Sequence, residues 1–255
     1  MGETVLSAVL AAGHPPAAVA VSEPQPERAA ALRERHGVEV ATGPQVVQDA
    51  AVVFVVVKPH DVVAVLEEVA GSLAPGAVVV SLAAGVRIET IEAVVGRDVA
   101  VVRAMPNTPA LVGEGMFGLS AGTACDDEQV ARVGDLLATA GRVVVVPEEQ
   151  QDAVTAVSGS GPAYVFYLAE AMIEAGRDAG LDPETARVLT EQTLRGAAAL
   201  LADAEEEPAE LRRRVTSPNG TTHAAITTFD EHGVGAGLRA GVAAAARRSG
   251  ELSGS

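Results

Sequence analysis

Between Val215 and Thr222 the chain reads Val-Thr-Ser-Pro-Asn-Gly-Thr-Thr, which places hydroxyls and free backbone N–H groups together at a turn between two helical patterns. Pro218 fixes φ, and Asn219 and Gly220 accept the positive φ that a tight turn requires. Thr221 or Thr222 is expected to cap the following helix, whose exposed N–H groups favour a carboxylate or phosphate. Taken alone, the stretch also reads as an ordinary turn followed by an N-cap. A second group of candidates lies at or just after apparent strand ends: Lys58 and Pro59, Ala83 and Ala84, and Asn107. Open α/β sheets place their ligands at such ends. Lys58 equally suits a solvated loop, and Asn107 equally suits a turn between two prolines.

These residues are positioned by a chain of two halves. Short β-branched runs at Val19 to Ser22, Val38 to Ala41, Ala51 to Val57, Val78 to Leu82, Val99 to Met105 and Val143 to Val146 alternate with helical stretches. Continuous Val runs predict a parallel sheet buried on both faces. After Pro147 the runs stop, and helices are expected over Pro162 to Ala179, Pro183 to Ala204, Pro208 to Val215, Thr221 to Glu231 and Gly235 to Glu251. The expected fold is therefore α/β, with a Rossmann-like domain over residues 1–148 and an all-α domain over residues 149–255, whose small residues allow close packing within the chain or between copies of it. Such a nucleotide domain ordinarily opens with a strand and a Gly-rich turn. Here the pattern opens on a helix over Met1 to Ala12, so the first strand and most of the glycine loop are expected to be missing.

Composition narrows the function. A net charge of −16, with no basic run longer than Arg212 to Arg214, argues against nucleic acid or an anionic membrane as partner. No apolar run is long enough to span a bilayer, and no leader pattern is evident, so a cytoplasmic location is expected. The single cysteine, Cys125, fits a reducing compartment, and neighbouring Asp126 and Asp127 oppose its ionisation. The five histidines do not fall at metal-ligand spacing on one helix face, so no metal is expected. The segment Ser158-Gly159-Ser160-Gly161-Pro162 follows a helical pattern and lacks a succeeding lysine. It therefore reads as a helix junction and not as a phosphate loop.

In order along the chain, several segments resemble pyrroline-5-carboxylate reductases. They are Met1-Gly2-Glu3, Val56-Val57-Lys58-Pro59, Ser81-Leu82-Ala83-Ala84-Gly85, Val102 to Pro109, Asp152 to Tyr164, Val215 to Thr222, and Arg247-Arg248-Ser249-Gly250-Glu251-Leu252. The resemblance covers nearly the whole chain. Asn219 stands where the family more often has Gly.

What the resemblance implies is an enzyme that reduces 1-pyrroline-5-carboxylate to L-proline with NADPH or NADH, acting as a homodimer or larger homo-oligomer. It implies that Ser217 and the N–H groups of Gly220 and Thr221 hold the substrate carboxylate, and that the Thr222 hydroxyl meets the ring nitrogen as the catalytic contact. It further implies that Met1, Ser22, Val57, Lys58, Pro59, Ala83, Ala84 and Asn107 surround the cofactor. Ser22 and nearby Arg28 suit a 2′-phosphate while Glu23 repels one, which leaves NADP and NAD both open. The shortened start supports an alternative: a truncated paralogue or fragment that folds and dimerises without binding cofactor. A related hydroxy-acid reductase is disfavoured, because no lysine follows Lys58.

Overall fold

A computed structural model describes residues 1–254. The chain forms two compact units, one of residues 1–160 together with 245–255, the other of residues 161–244.

The first unit opens with helix α1 (Gly2–Ala11), then β1 (Ala20–Val21), α2 (Pro26–His36), β2 (Glu39–Val40), α3 (Gly43–Val47) and β3 (Val52–Val55). It continues with α4 (Val62–Val69), β4 (Val78–Ser81), α5 (Ile88–Val95), β5 (Ala100–Met105), β6 (Gly115–Ala121), α6 (Asp127–Leu137) and β7 (Gly141–Val145). Strands β3, β4 and β5 are parallel neighbours, as the valine runs predict, and Val78, Val79, Val80, Val101 and Val102 are completely buried. Helices cover both faces. On one side Val5 and Val9 of α1 and Val133 and Leu137 of α6 pack against the sheet; on the other, Val62, Leu66 and Ile91 do so.

The sequence pattern did not reveal β6, which runs antiparallel to β5. Two glycines and the lack of any β-branched residue weaken its signal. Its direction follows from the link over residues 106–114, which is too short for the crossover that a parallel partner requires. Strand β7 then pairs in parallel with β6.

Strands β1 and β2 pair in parallel as a separate two-stranded sheet, and among the described residues no ladder joins them to the five-stranded sheet β3-β4-β5-β6-β7. β1 and β3 each present an unpaired edge. Helix α1 lies under both sheets, because Val5 and Val9 join the larger core while Leu6 packs with Leu32 and Val38.

The first unit carries α7 (Gln151–Val154) and a π-helical turn, Thr155–Gly159, and the expected helix junction falls at Ser160, a bend that separates this turn from the helix beginning at Gly161. Gly159 leaves room there for the Met105 methyl: a Cβ would come within 2.7 Å of Met105 Cε, the end of a side chain that can shift.

The second unit contains α8 (Gly161–Asp178), α9 (Pro183–Asp203), α10 (Pro208–Arg214), α11 (Thr221–Glu231) and most of α12 (Val234–Ser253), close to the expected ranges. Asp182 caps α9 by accepting the Glu184 and Thr185 N–H groups. In this unit only Ala186 and Thr190 are buried, while Phe166, Tyr167, Leu200, Leu201, Phe229 and Leu238 are exposed. A helical unit with so little buried and so much apolar surface open is built to be covered.

Candidate functional site

The first unit gathers candidates along one edge of its sheet. Register sets Val55 beside Ser81 and Ser81 beside Arg103, so three parallel strands end side by side. The loops that follow carry Val57, Lys58 and Pro59 after β3, Ala83 and Ala84 after β4, and Asn107 after β5. Lys58 is exposed and has no ion-pair partner among the described residues. Ala83 is buried, its N–H 3.4 Å from Ser81 Oγ, whereas Ala84 is exposed. Met1 is the N-cap of α1 and no side chain caps that helix; a Cβ on Gly2 would lie 3.8 Å from Val56, so the helix start abuts the same strand end. The free N–H groups of its first turn carry positive potential.

Ser22 is exposed at the end of β1, in the smaller sheet. The Glu23 carboxylate beside it is turned back, accepting the Gln25 N–H at 3.0 Å and pairing with Arg28 at 3.4 Å.

Asn107 has a role that its sequence context did not reveal. Its Nδ2 donates to Ser158 O at 3.1 Å and its Oδ1 accepts the Met116 N–H at 2.9 Å. The side chain therefore ties the loop after β5 both to β6 and to the π-turn.

Sequence reasoning also missed a polar cluster beneath this edge. Arg103, 4% exposed, pairs with Glu148 at 3.2 Å, and the same Glu148 oxygen accepts the Ile88 N–H at 2.8 Å. Gln151, fully buried, donates to Gly118 O and Ser120 Oγ. The signal available was an arginine inside an otherwise apolar strand.

In the second unit the Val215–Thr222 stretch forms the expected turn. Gly220 N–H donates to Ser217 O at 3.0 Å, and Asn219, at φ 58°, is the only non-glycine residue with positive φ among the described residues. Two expectations change. The N-cap of α11 is Gly220, without any side-chain cap, because Thr221 already takes the first helical position. The Gly220 N–H is committed to closing the turn, so Thr221 and Thr222 are left to present first-turn N–H groups. Gly220 contributes through its missing side chain: a Cβ would fall 2.4 Å from Ser217 Oγ. Neither the Ser217 nor the Thr222 hydroxyl has a hydrogen-bond partner among the described residues. Ser217 is exposed and Thr222 half-buried.

Two features lie outside this chemistry. Burial first, and then the Asp126 charge, push the Cys125 thiol above its ordinary pKa. A hollow of about 250 Å³ between Leu73, Pro75, Asp98 and Gln129 sits at the amino-terminal edge of β4 and β5, the wrong end of the sheet for a ligand. Among the described residues no helix is long and apolar enough to cross a membrane.

Residues 148–252 match the family model "Pyrroline-5-carboxylate reductase dimerisation", and residues 1–85 match "NADP oxidoreductase coenzyme F420-dependent". A structure of a pyrroline-5-carboxylate reductase from Coxiella burnetii superposes with a TM-score of 0.94 at 36% identity, covering 99% of this chain and 94% of that one. The Pseudomonas aeruginosa pyrroline-5-carboxylate reductase is 44% identical over 99% of this chain and 93% of its own length. The Corynebacterium melassecola enzyme of the same name is 43% identical over 99% of this chain and 95% of its own length. Identity of this level over nearly the whole sequence, joined to the same fold, makes this chain a member of the pyrroline-5-carboxylate reductase family.

Proposed function

We propose that this chain reduces 1-pyrroline-5-carboxylate to L-proline, the last step of proline synthesis, in the cytoplasm. The observation that carries the reading is the Ser217–Thr222 turn, which presents two unpartnered hydroxyls and the uncapped start of α11. The Ser217 hydroxyl and the first-turn N–H groups hold the substrate carboxylate, to which a helix N-terminus is complementary. The Thr222 hydroxyl donates to the ring nitrogen and relays a proton from water as the imine becomes an amine. A cyclic imine is already electrophilic, so positioning outweighs acid catalysis.

The first unit fits a nicotinamide dinucleotide. The uncapped start of α1 at Met1 suits the pyrophosphate, and Ser22, Val57, Lys58 and Pro59 suit the adenosine side. The loops at Ala83, Ala84 and Asn107 suit the nicotinamide and its ribose. When bound, NADPH or NADH supplies the hydride. The Glu23–Arg28 pair blunts the charge that would otherwise exclude a 2′-phosphate.

The exposed apolar surface of the second unit, together with its match to a dimerisation family, supports a homodimer or larger homo-oligomer built on residues 149–255. A net charge of −16 and the absence of a spanning helix among the described residues support neither nucleic acid nor membrane as partner.

One observation favours a second reading, in which the chain folds and associates without taking cofactor: the unpaired edges of β1 and β3. The deciding assay is oxidation of NADPH or NADH dependent on added pyrroline-5-carboxylate, run beside nucleotide titration of the folded oligomer. Turnover supports the reductase. Folded protein that neither binds nucleotide nor turns over supports the second reading.

A further inference from the structure

Two of the stretches that carry the family resemblance, Asp152 to Tyr164 and Arg247 to Leu252, have no role in the reaction outlined above. They meet in the first unit. Ser249 Oγ donates to Asp152 Oδ1 at 2.6 Å, and Ser249 is 6% exposed although it stands near the end of the last helix. A short hydrogen bond to a half-buried carboxylate is among the stronger single contacts available to a serine.

The bond fastens the last turns of α12 to α7, whose first residue, Gln151, is itself anchored to β6 through Gly118 O and Ser120 Oγ. Beyond Ser249 the helix end reaches the loop between β4 and α5. Gly85 there has φ +75°, and a Cβ on it would lie 3.2 Å from Leu252 O and 3.5 Å from Ser253 N. The Leu252 backbone thus lies directly against Gly85. At its far end the same loop is held by Glu148, which accepts the Ile88 N–H. Ala83 and Ala84 lie between the buried strand β4 and these two restraints. Ser253 Oγ closes the helix by donating to Ser249 O and Gly250 O, so the segment that touches Gly85 is itself ordered.

We propose that the Ser249–Asp152 hydrogen bond is a positioning clasp: it seats the end of α12 on Gly85 and so fixes the Ala83–Gly85 backbone against which the nucleotide binds. Ser249 and Asp152 are positioning residues, acting through Leu252 and Gly85. The proposal rests on the assignment of Ala83 and Ala84 to the cofactor.

The test compares Ser249→Ala, Asp152→Ala and Asp152→Asn in the full-length oligomer. The asparagine retains an acceptor oxygen at Oδ1, so it should keep the clasp closed. The alanine variants should weaken NADPH or NADH binding and raise its KM on the order of tenfold, the weight of one hydrogen bond to a charged group. They should leave kcat at saturating nucleotide and the KM for pyrroline-5-carboxylate within about twofold, and the double alanine variant should be no worse than either single one. Asp152→Asn should restore nucleotide binding. Hydrogen exchange at the Ala83 to Val86 amides, read without any ligand, should accelerate in the alanine variants only. Unchanged exchange in folded Ser249→Ala overturns the clasp, and so does an equal rise in both Michaelis constants. Should the parent chain bind no nucleotide, the cofactor assignment fails, and the exchange data alone decide whether the clasp exists.

Discussion

Asn107 Oδ1 accepts the Met116 N–H at 2.9 Å, while its Nδ2 donates to Ser158 O at 3.1 Å. One amide thereby joins the loop after β5, the start of β6 and the π-turn that leads into α8. A carboxylate in its place would keep the first bond and set two acceptors face to face in the second. Asn107→Asp should therefore lower unfolding stability by about 1–3 kcal/mol. Asn107→Ala, which loses both bonds, should cost at least as much. Urea unfolding of the two variants checks the order.

The Arg103–Glu148 pair offers a sharper contrast between its partners. Arg103 lies within the sheet at 4% exposure, while Glu148 reaches it from the connection after β7 and also accepts the Ile88 N–H. Glu148→Ala leaves the guanidinium buried without its anion and should destabilise by about 3 kcal/mol. Glu148→Gln retains an acceptor and should cost less. Denaturation midpoints should differ in that order, and added salt should have little effect on the parent value, because a partly buried pair is screened much less than an exposed one.

At the Ser217–Thr222 turn, two substitutions separate position from chemistry. Gly220→Ala forces a Cβ to within 2.4 Å of Ser217 Oγ, so the hydroxyl must move. The KM for pyrroline-5-carboxylate should rise with little change in nucleotide binding. Thr222→Ala should reduce kcat/KM by roughly tenfold, less than the loss of a true general acid, which costs about a hundredfold or more. Kinetics indistinguishable from the parent in a folded Thr222→Ala protein would remove Thr222 from the reaction.

Acid should loosen the junction between α1 and α2. Hydrogen bonds from His36 and then Arg35 hold the Glu3 carboxyl below its ordinary pKa. A depressed folded-state value means that the contribution is complete above the unfolded value of about 4.3, and is lost as pH falls through the folded one. The melting temperatures of parent and Glu3→Gln protein should therefore differ at pH 7 and converge below about pH 4. A difference that grows on acidification would contradict this. The pair is partly exposed, so the effect should also shrink in high salt.

Local sequence was enough to locate helix α1, the five helices α8 to α12, the parallel strands β3 to β5 and the turn at Ser217 to Gly220. Those features follow from short-range physics: continuous valines fit only a sheet covered on both faces, and Pro-Asn-Gly bends a chain wherever it occurs. Strand β6 escaped because glycine, methionine and serine carry weak strand preference, and only its pairing with β5 makes it a strand. Tertiary structure alone decided which polar atoms meet. Asn107 looks like a turn residue until Met116 and Ser158 arrive from separate segments. Ser249 likewise looks like one more helical serine until Asp152 stands opposite it. Hydrogen bonds between residues distant in sequence leave no periodicity to read, because they depend on where independent elements come to rest in the folded chain.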